Sequence, residues 1–312
     1  MNEKCAVKNL AKIVAERSQT FGGSWTELKL DVVAAYLDSY TTALKHQGFA
    51  KMYVDAFAGT GYREMMAEEN DTPVLLKEAE AEAARIFDGS AELSLKITNP
   101  FDRYVFVEKS LKRMKELRSL RTEHADLASR MEFSSGDANQ AIPELCKKVD
   151  WHKFRAVLFL DPYGMTVDWS TMEAIARTRA IDVWILFPVG IGVNRLLKHQ
   201  RDQIPSAWCA KLDRVFGTSA WEQAFFETDR QGVLFEGEES GVVKVRDPIQ
   251  AISRFYQTRL KSIFSKVAPN PRYLCNAKNN PMFLLTFAMA SESKKAQDLG
   301  MKFARYILEK RG

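Results

Sequence analysis

The chain of 312 residues contains 46% hydrophobic and 27% charged residues, the balance of a soluble globular protein rather than of a disordered or fibrous one. No apolar run approaches the roughly 18 residues that span a bilayer, and the first residues lack the features of a secretory signal. We therefore expect a cytoplasmic protein without a membrane partner. The four cysteines, Cys5, Cys146, Cys209 and Cys275, stand singly, which argues against a disulfide framework or a zinc knuckle.

The net charge of +5 is distributed unevenly along the chain. Residues 1–190 hold 25 basic and 28 acidic residues (net −3), whereas residues 191–312 hold 20 basic and 12 acidic residues (net +8). A basic carboxy-terminal part is consistent with a polyanionic partner such as nucleic acid. Ordinary solvated helix faces explain the same charge equally well.

Apolar runs alternate with helical patterns through the first 190 residues. An amphipathic helix is predicted between Trp25 and Gly48, followed by five buried strands with helices between them. The predicted strands are "KMYVDAFAG", "RYVFVEKS", "MEFSSGD", "FRAVLFLDPYG" and "AIDVWILFPVG". Continuous apolar strands alternating with helices predict a mostly parallel sheet covered on both faces, which is a doubly wound α/β fold.

The pattern changes after Gly190. Residues 191–247 are mixed in character, with a cluster of basic residues near their start, and we interpret them as an insertion that recognises a substrate or partner. The sequence pattern of residues 248–312 then predicts a helix, a hairpin with its turn at Lys278 to Pro281, and a last amphipathic helix. The sheet would have seven strands, with the insertion before the last two.

Polar and small residues follow the predicted strands where ligands of such sheets bind, outside the carboxyl ends. Two glycines after the first strand allow close backbone approach to a ligand. An acid after the second strand is suited to two ribose hydroxyls, and one after the third to an exocyclic amine of adenine. The candidate cofactor-binding residues are Asp55, Phe57, Gly59, Gly61, Glu108, Asp137 and Ala138.

Each of these signals alone has a structural alternative, namely a plain turn or an acid that caps the next helix. Other nucleotide sites fit less well. The third glycine of a nicotinamide fingerprint is absent, and Glu108 follows Asp55 by 53 residues (108 − 55) instead of about 20. A phosphate-binding P-loop fails because no Gly-Lys-Ser/Thr follows the glycines.

The four strand ends taken in order resemble those of class I S-adenosylmethionine (SAM) methyltransferases. The resemblance implies SAM as cofactor, a Rossmann-like methyltransferase sheet over residues 1–190, and its completion by residues 248–312. Lys29, ahead of the first strand, would then reach the cofactor carboxylate, or it is an ordinary helix-surface lysine.

The fourth strand ends in "DPYG", residues 161–164, which resembles the D/N-P-P-Y/F sequence of amino-group methyltransferases. That resemblance implies Asp161, Pro162 and Tyr163 as catalytic residues, with the acid accepting from the target amine and the aromatic ring stacking on the base. The variant resembles the D-P-F-G of tRNA guanine-N2 dimethyltransferases more than the sequence of DNA adenine enzymes. The alternative is a turn in which Asp161 caps the following helix.

Six segments in order also resemble the three-Cys-motif partner protein family (TcmP), which is bacterial and phage-associated. They are "WTELKLDVVAAYL", "YVDAFAGTG", "FVEKS", "GDAN", "FLDPYGMTVDWSTMEAIA" and "DVWILFPVG". This resemblance covers roughly residues 25–192 and implies a three-Cys-motif protein as partner. It does not specify a reaction.

The densest basic cluster of the insertion provides the substrate-binding candidates Arg195, Lys198 and Arg201, which a solvated helix face also explains. The histidines lie apart from the strand ends, so we assign no metal. The sequence therefore predicts a SAM-dependent methyltransferase that N-methylates an exocyclic amine of nucleic acid. The alternatives are a non-catalytic SAM-binding partner module and a methyltransferase of small molecules or proteins.

Overall fold

A computed structural model of the chain describes residue 34 and residues 36–58, 90–162, 165–228, 242–276 and 278–309. Several sequence predictions lie outside these residues. They are the helix before residue 34 with Lys29, the glycine loop with Gly59 and Gly61, the helix predicted over residues 73–89, and Tyr163.

The central sheet has eight strands in the order β3-β2-β1-β4-β5-β10-β8, with β9 also paired to β10. Strands β1 to β5 are parallel neighbours, and β10 runs antiparallel to β5, β8 and β9. The strands are β1 (Ala50–Asp55), β2 (Arg103–Glu108), β3 (Met131–Ser135), β4 (Phe154–Leu160), β5 (Ile181–Phe187), β8 (Lys266–Val267), β9 (Arg272–Cys275) and β10 (Pro281–Met289). The predicted doubly wound, mostly parallel sheet is confirmed, with β8 and β9 sharing the seventh position.

Helices cover both faces of the sheet. The first described helix, α1, comprises residues 36–43. It is followed by α2 (Ser90–Leu95), α3 (Leu111–Glu123), α4 (Ala138–Lys148), α5 (Trp169–Arg177), α6 (Ser206–Phe216), α7 (Trp221–Phe225), α8 (Pro248–Ile263) and α9 (Lys294–Glu309). Helix α8 begins as its sequence predicts, with Pro248 in the first turn and the Asp247 carboxylate accepting from the Gln250 amide at 3.0 Å.

The two faces of the sheet bury different cores. One is rich in aromatic side chains and lies beneath α1 and α9, with Tyr36 packed edge-on to Trp184 at 5.3 Å between ring centroids. The Tyr36 hydroxyl donates to the buried Asp182 carboxylate at 2.9 Å. The second core is mainly aliphatic and lies between the sheet and α4, α5 and α8. Burial on both faces explains why most of these strands have continuous apolar sequences.

The segment between β5 and α8 packs onto the second core. It begins as a π-helix (Val189–Asn194) and continues through a 3₁₀ turn, α6 and α7. Two short strands, β6 (Phe226–Thr228) and β7 (Val242–Lys244), form a separate antiparallel pair. The division of the chain at residues 190 and 247 stays a prediction.

Candidate functional site

The topology places its switch point between β1 and β4, and we call the region outside the carboxyl ends of these two strands the crevice. From β1 the chain proceeds to β2 and β3 on one side, whereas β4 and β5 lie on the other side. The order reverses between β1 and β4, and open α/β sheets bind ligands at the carboxyl ends of such strands. The two ends are in contact, because the Ala56 amide donates to the Phe159 carbonyl at 3.2 Å.

Asp55, at the end of β1, is fully buried and hydrogen-bonded within the protein. Its carboxylate accepts from the Ser90 hydroxyl at 2.6 Å, the Phe57 amide at 3.2 Å and the Tyr53 hydroxyl at 3.4 Å. Burial raises the pKa of Asp55 to about 6, and these hydrogen bonds oppose the increase. Asp55 therefore anchors the start of the glycine loop to α2, a contact that the sequence did not predict. Direct contact of Asp55 or Phe57 with a cofactor stays a prediction.

Glu108 ends β2 beside the loop that follows β3. The side chain is 6% exposed, and Oε1 accepts from the Ser110 amide at 2.6 Å. The Gly136 amide donates to the Glu108 carbonyl oxygen at 3.0 Å, which draws the loop after β3 onto the end of β2. Gly136 has a φ of +153°, a backbone conformation that residues other than glycine rarely adopt. The acids predicted to hold ribose and adenine are thus on adjacent loops.

Asp137 is the N-cap of α4. Its Oδ1 accepts from the Asn139 amide at 2.8 Å, which is the capping role considered as the alternative for this residue. Within the described part of the chain, Oδ2 has no hydrogen-bond partner. One carboxylate oxygen caps the helix, and contact of the other with the adenine amine stays a prediction. Ala138, the first residue of α4, is buried, and its contact with a cofactor stays a prediction.

Asp161 and Pro162 follow β4 and are both buried, with Asp161 only 3% exposed. The Tyr53 hydroxyl donates to Oδ2 of Asp55 at 3.4 Å. Burial raises the pKa of Tyr53 well above its ordinary value, and the negative charges of Asp55 and Asp161 raise it further. Asp55 is also in register with Phe159 of β4, so Asp161 follows two residues later at the neighbouring strand end.

The loops after β3 and β4 are joined by Asn139, whose role the sequence did not indicate. Its Nδ2 donates to the Thr166 carbonyl at 2.6 Å, and its Oδ1 accepts from the Asp168 amide and the Thr171 hydroxyl, each at 2.9 Å. The residue belongs to the segment "GDAN". Its spacing contained no signal for these contacts, because they join residues 27 to 32 positions apart.

The π-helix after β5 approaches the loop after β4 from the other side. A Cβ atom at Gly192 would lie 2.9 Å from Cγ of Met165, and one at Gly190 would lie 2.0 Å from the Pro281 carbonyl oxygen. Both glycines thus permit close contact that a larger residue would prevent. The sequence signal is "VGIG" after an apolar strand, which by itself indicates only the end of that strand.

The three basic candidates of the insertion differ in their surroundings. Arg195 and Lys198 are exposed, and the Lys198 ammonium lies 4.8 Å from the centre of the Trp208 ring. Arg201 is half-buried, forms an ion pair with Glu222 and lies 5.3 Å from the Trp221 ring centre. The contacts of Arg201 indicate a structural role, whereas the side chains of Arg195 and Lys198 are exposed on the surface. Substrate binding by all three stays a prediction.

The residues that the structure describes contain neither a candidate metal cluster nor a membrane-spanning helix. Their His, Cys, Asp and Glu side chains form no cluster of three that fits a metal ion. Their helices include none with the length and apolar character needed to cross a membrane.

No protein-family model matches the sequence, and no curated protein matches it. Similar solved structures include a Legionella pneumophila protein of the DUF519 family, 12% identical over 92% of each chain, with a TM-score of 0.46. Thermotoga maritima spermidine synthase is 10% identical, with a TM-score of 0.36 over 89% of this chain and 63% of that chain. The methyltransferase domain of a bacterial Hen1 protein is also 10% identical, with a TM-score of 0.29 over 81% of this chain and 96% of that chain.

These similarities are too distant to assign a function. The described residues themselves define a doubly wound, Rossmann-like α/β fold, with a mostly parallel sheet, a switch point between β1 and β4, and an antiparallel strand beside β5. No family model shows membership of the TcmP family, so that resemblance stays an expectation.

Proposed function

We propose that this protein is a SAM-dependent methyltransferase that N-methylates an exocyclic amine of nucleic acid. The observation that carries the proposal is the arrangement of four acids, Asp55, Glu108, Asp137 and Asp161. They occupy the carboxyl ends of four neighbouring strands around one switch point. A structural turn or helix cap explains each acid separately but not their common position.

The donor and acceptor chemistry of the site fits SAM. The cofactor's ribose hydroxyls and adenine amine are hydrogen-bond donors, and carboxylates are acceptors. Glu108 would hold the ribose and Asp137 the adenine amine, for which Oδ2 is available among the described residues. When bound, SAM supplies a sulfonium methyl group, which an amine nitrogen accepts as the carbon–sulfur bond breaks.

Asp161 and Tyr163 would orient the target. The Asp161 carboxylate accepts a hydrogen bond from the amine and directs the nitrogen lone pair, and the Tyr163 ring stacks on the base. Catalysis of this kind is largely positioning, so it requires little proton transfer by the protein. The buried position of Asp161 supports this role, because a hydrogen bond from a substrate is stronger where water is excluded.

Nucleic acid is the substrate class that the charge favours. The excess of basic residues lies in residues 248–312, which hold 12 basic and 3 acidic residues, and the exposed Arg195 and Lys198 form a separate basic cluster shortly after β5. The resemblance to the TcmP family supplies the second expected partner, a three-Cys-motif protein.

The deciding experiment is transfer of labelled methyl from SAM to total RNA, DNA and protein, with and without the three-Cys-motif protein. We expect label in nucleic acid with the wild type and its loss with Asp161→Ala. Label in protein or in small molecules would reassign the substrate. If SAM binds and no methyl is transferred to any acceptor, the protein is a non-catalytic partner module.

A further inference from the structure

The segment after the "DPYG" loop is fixed by contacts on two sides. Asn139, at the start of α4, makes three hydrogen bonds to residues Thr166, Asp168 and Thr171. On the opposite side Met165 is buried beneath the backbone of Gly192 in the π-helix. Residues 165–168 are therefore held between two elements that begin at the carboxyl ends of β3 and β5.

The Asn139 contact has an unusual position relative to the proposed cofactor site. The Asn139 amide nitrogen donates to Oδ1 of Asp137, the residue proposed to bind adenine, while its side chain holds the loop that carries Asp161. One residue thus contacts both the proposed cofactor loop and the loop of the target amine. The Asn139 side chain uses both its donor and its acceptor in joining the two loops.

We propose that Asn139 is a positioning residue that couples cofactor binding after β3 to the geometry of the target-amine loop after β4. This inference rests on the proposed function. A ligand that fixes Asp137 also fixes the first turn of α4. The side-chain amide of Asn139 then transmits that constraint to residues 165–168 through its hydrogen bonds. The methyl donor and the amine acceptor are thereby held in one geometry, which is what positioning catalysis requires.

Asn139→Ala removes the side-chain contacts but keeps the backbone amide, which donates to Oδ1 of the capping residue Asp137. The probe is S-adenosylhomocysteine at about 100 times its dissociation constant, added while hydrogen–deuterium exchange of the peptide spanning Met165–Asp168 is measured. Openings that release ligand are suppressed up to about 100-fold under this condition. We expect the wild-type peptide to exchange at least about tenfold more slowly with ligand present. We expect Asn139→Ala to bind S-adenosylhomocysteine within about threefold of the wild-type affinity. Exchange of the peptide in this variant should be the same with and without ligand, because the loop then opens without releasing the ligand.

Asn99→Ala is the matched control, because Asn99 also joins two elements through its amide, donating to the Thr42 hydroxyl at 3.0 Å. It precedes β2 and therefore lies at the opposite edge of the sheet, so we expect wild-type protection by the ligand. Asn139→Asp keeps both acceptor contacts and loses the donor to Thr166, so its protection should be intermediate, and it serves if the alanine variant does not fold.

Ligand-dependent protection equal to the wild type in Asn139→Ala or Asn139→Asp would overturn the coupling. Ligand binding to the wild type without protection of residues 165–168 would overturn it as well. Failure of the wild type to bind either S-adenosylhomocysteine or SAM has a different meaning, since it would overturn the proposed function and this inference with it. In an active enzyme the coupling further predicts that Asn139→Ala lowers kcat while KM for SAM stays within about threefold of wild type.

Discussion

Asp161 is the residue on which the distinction between an enzyme and a binding module depends. It is buried at the end of β4, next to the carboxylate network around Tyr53. We expect Asp161→Asn, which keeps an acceptor oxygen, to retain SAM affinity and some turnover. Asp161→Ala should retain SAM affinity and lose most turnover. Calorimetry with SAM and a methyl-transfer assay measure the two quantities, and equal turnover in both variants would contradict the acceptor role.

Tyr163 provides a second test at the same loop. If its ring acts by stacking, Tyr163→Phe should be mild, whereas Tyr163→Ala should lose about 1 to 3 kcal/mol of base binding. Substrate affinity and turnover at fixed SAM concentration report this difference. A severe effect of Tyr163→Phe would instead assign the role to the hydroxyl group.

Asp182 predicts a pH dependence of stability that is unrelated to the site. Burial raises its pKa to about 7, and the hydrogen bond from Tyr36 and the charge of Arg155 oppose the increase. The folded chain therefore holds the proton more tightly than the unfolded chain. The contribution of Asp182 to the free energy of unfolding is therefore fully present below about pH 4. It is lost as the pH rises to about 7.

Asp182→Asn should remove this contribution, so the free energy of unfolding should fall less between pH 4 and pH 7 than in the wild type. A pKa difference of one between the folded and unfolded chain corresponds to about 1.4 kcal/mol. Urea unfolding across this range is the measurement, and Asp126→Asn, at an exposed acid, is the control. Burial also raises the pKa of Asp55 to about 6, so Asp55 lowers the free energy of unfolding over the same pH range. Both variants retain this contribution.

Among the elements, strands and helices with strong local patterns were predictable and the short ones were not. Strands β1 to β5, helices α3 to α5 and the final hairpin follow from apolar runs and periodicity, because burial on both faces selects such sequences. Strands β6, β7 and β8 have two or three residues, too few for a pattern. Pairing of β6 with β7 depends on tertiary contact across the residues between them.

The candidate site was predictable to the same extent. Strand ends locate Asp55, Glu108, Asp137 and Asp161, because parallel strands place their carboxyl ends at one edge. The contacts that fix those ends were not predictable. Ser90 reaches Asp55 from 35 residues away, and Asn139 reaches Asp168 from 29. Such contacts depend on how α2 and α4 pack, which no local sequence pattern specifies.

The π-helix makes a prediction about packing at the end of β5. A Cβ at Gly190 would lie 2.0 Å from the Pro281 carbonyl oxygen, so Gly190→Ala forces the start of β10 to shift. We expect a loss of about 1 to 3 kcal/mol in the free energy of unfolding. Gly48→Ala is the matched control, since nothing lies within 4 Å of its Cβ position. Equal stability of the two variants in urea unfolding would show that the π-helix adapts freely.

At the scale of the whole molecule, the acids of the site and one cluster of basic residues follow the same end of the sheet. The acids lie at the carboxyl ends of β1 to β4, and the exposed Arg195 and Lys198 come shortly after the carboxyl end of β5. Under the proposed function, we expect Arg195 and Lys198 to contact the nucleic-acid backbone. Arg201 forms an ion pair with Glu222, and its contact with a substrate stays a prediction.

This arrangement predicts how nucleic-acid binding depends on salt. Replacing both Arg195 and Lys198 with alanine should weaken binding nearly equally across sequences. In duplex DNA the salt slope should fall by about 0.9 for each phosphate that the variant no longer neutralises. Lys294→Ala with Lys295→Ala is the control, because those exposed lysines follow β10 at the opposite edge of the sheet. Binding measured from low to moderate salt separates the two pairs. If the slope changes equally for both, the attraction is a property of the net charge and not of a surface beside the crevice.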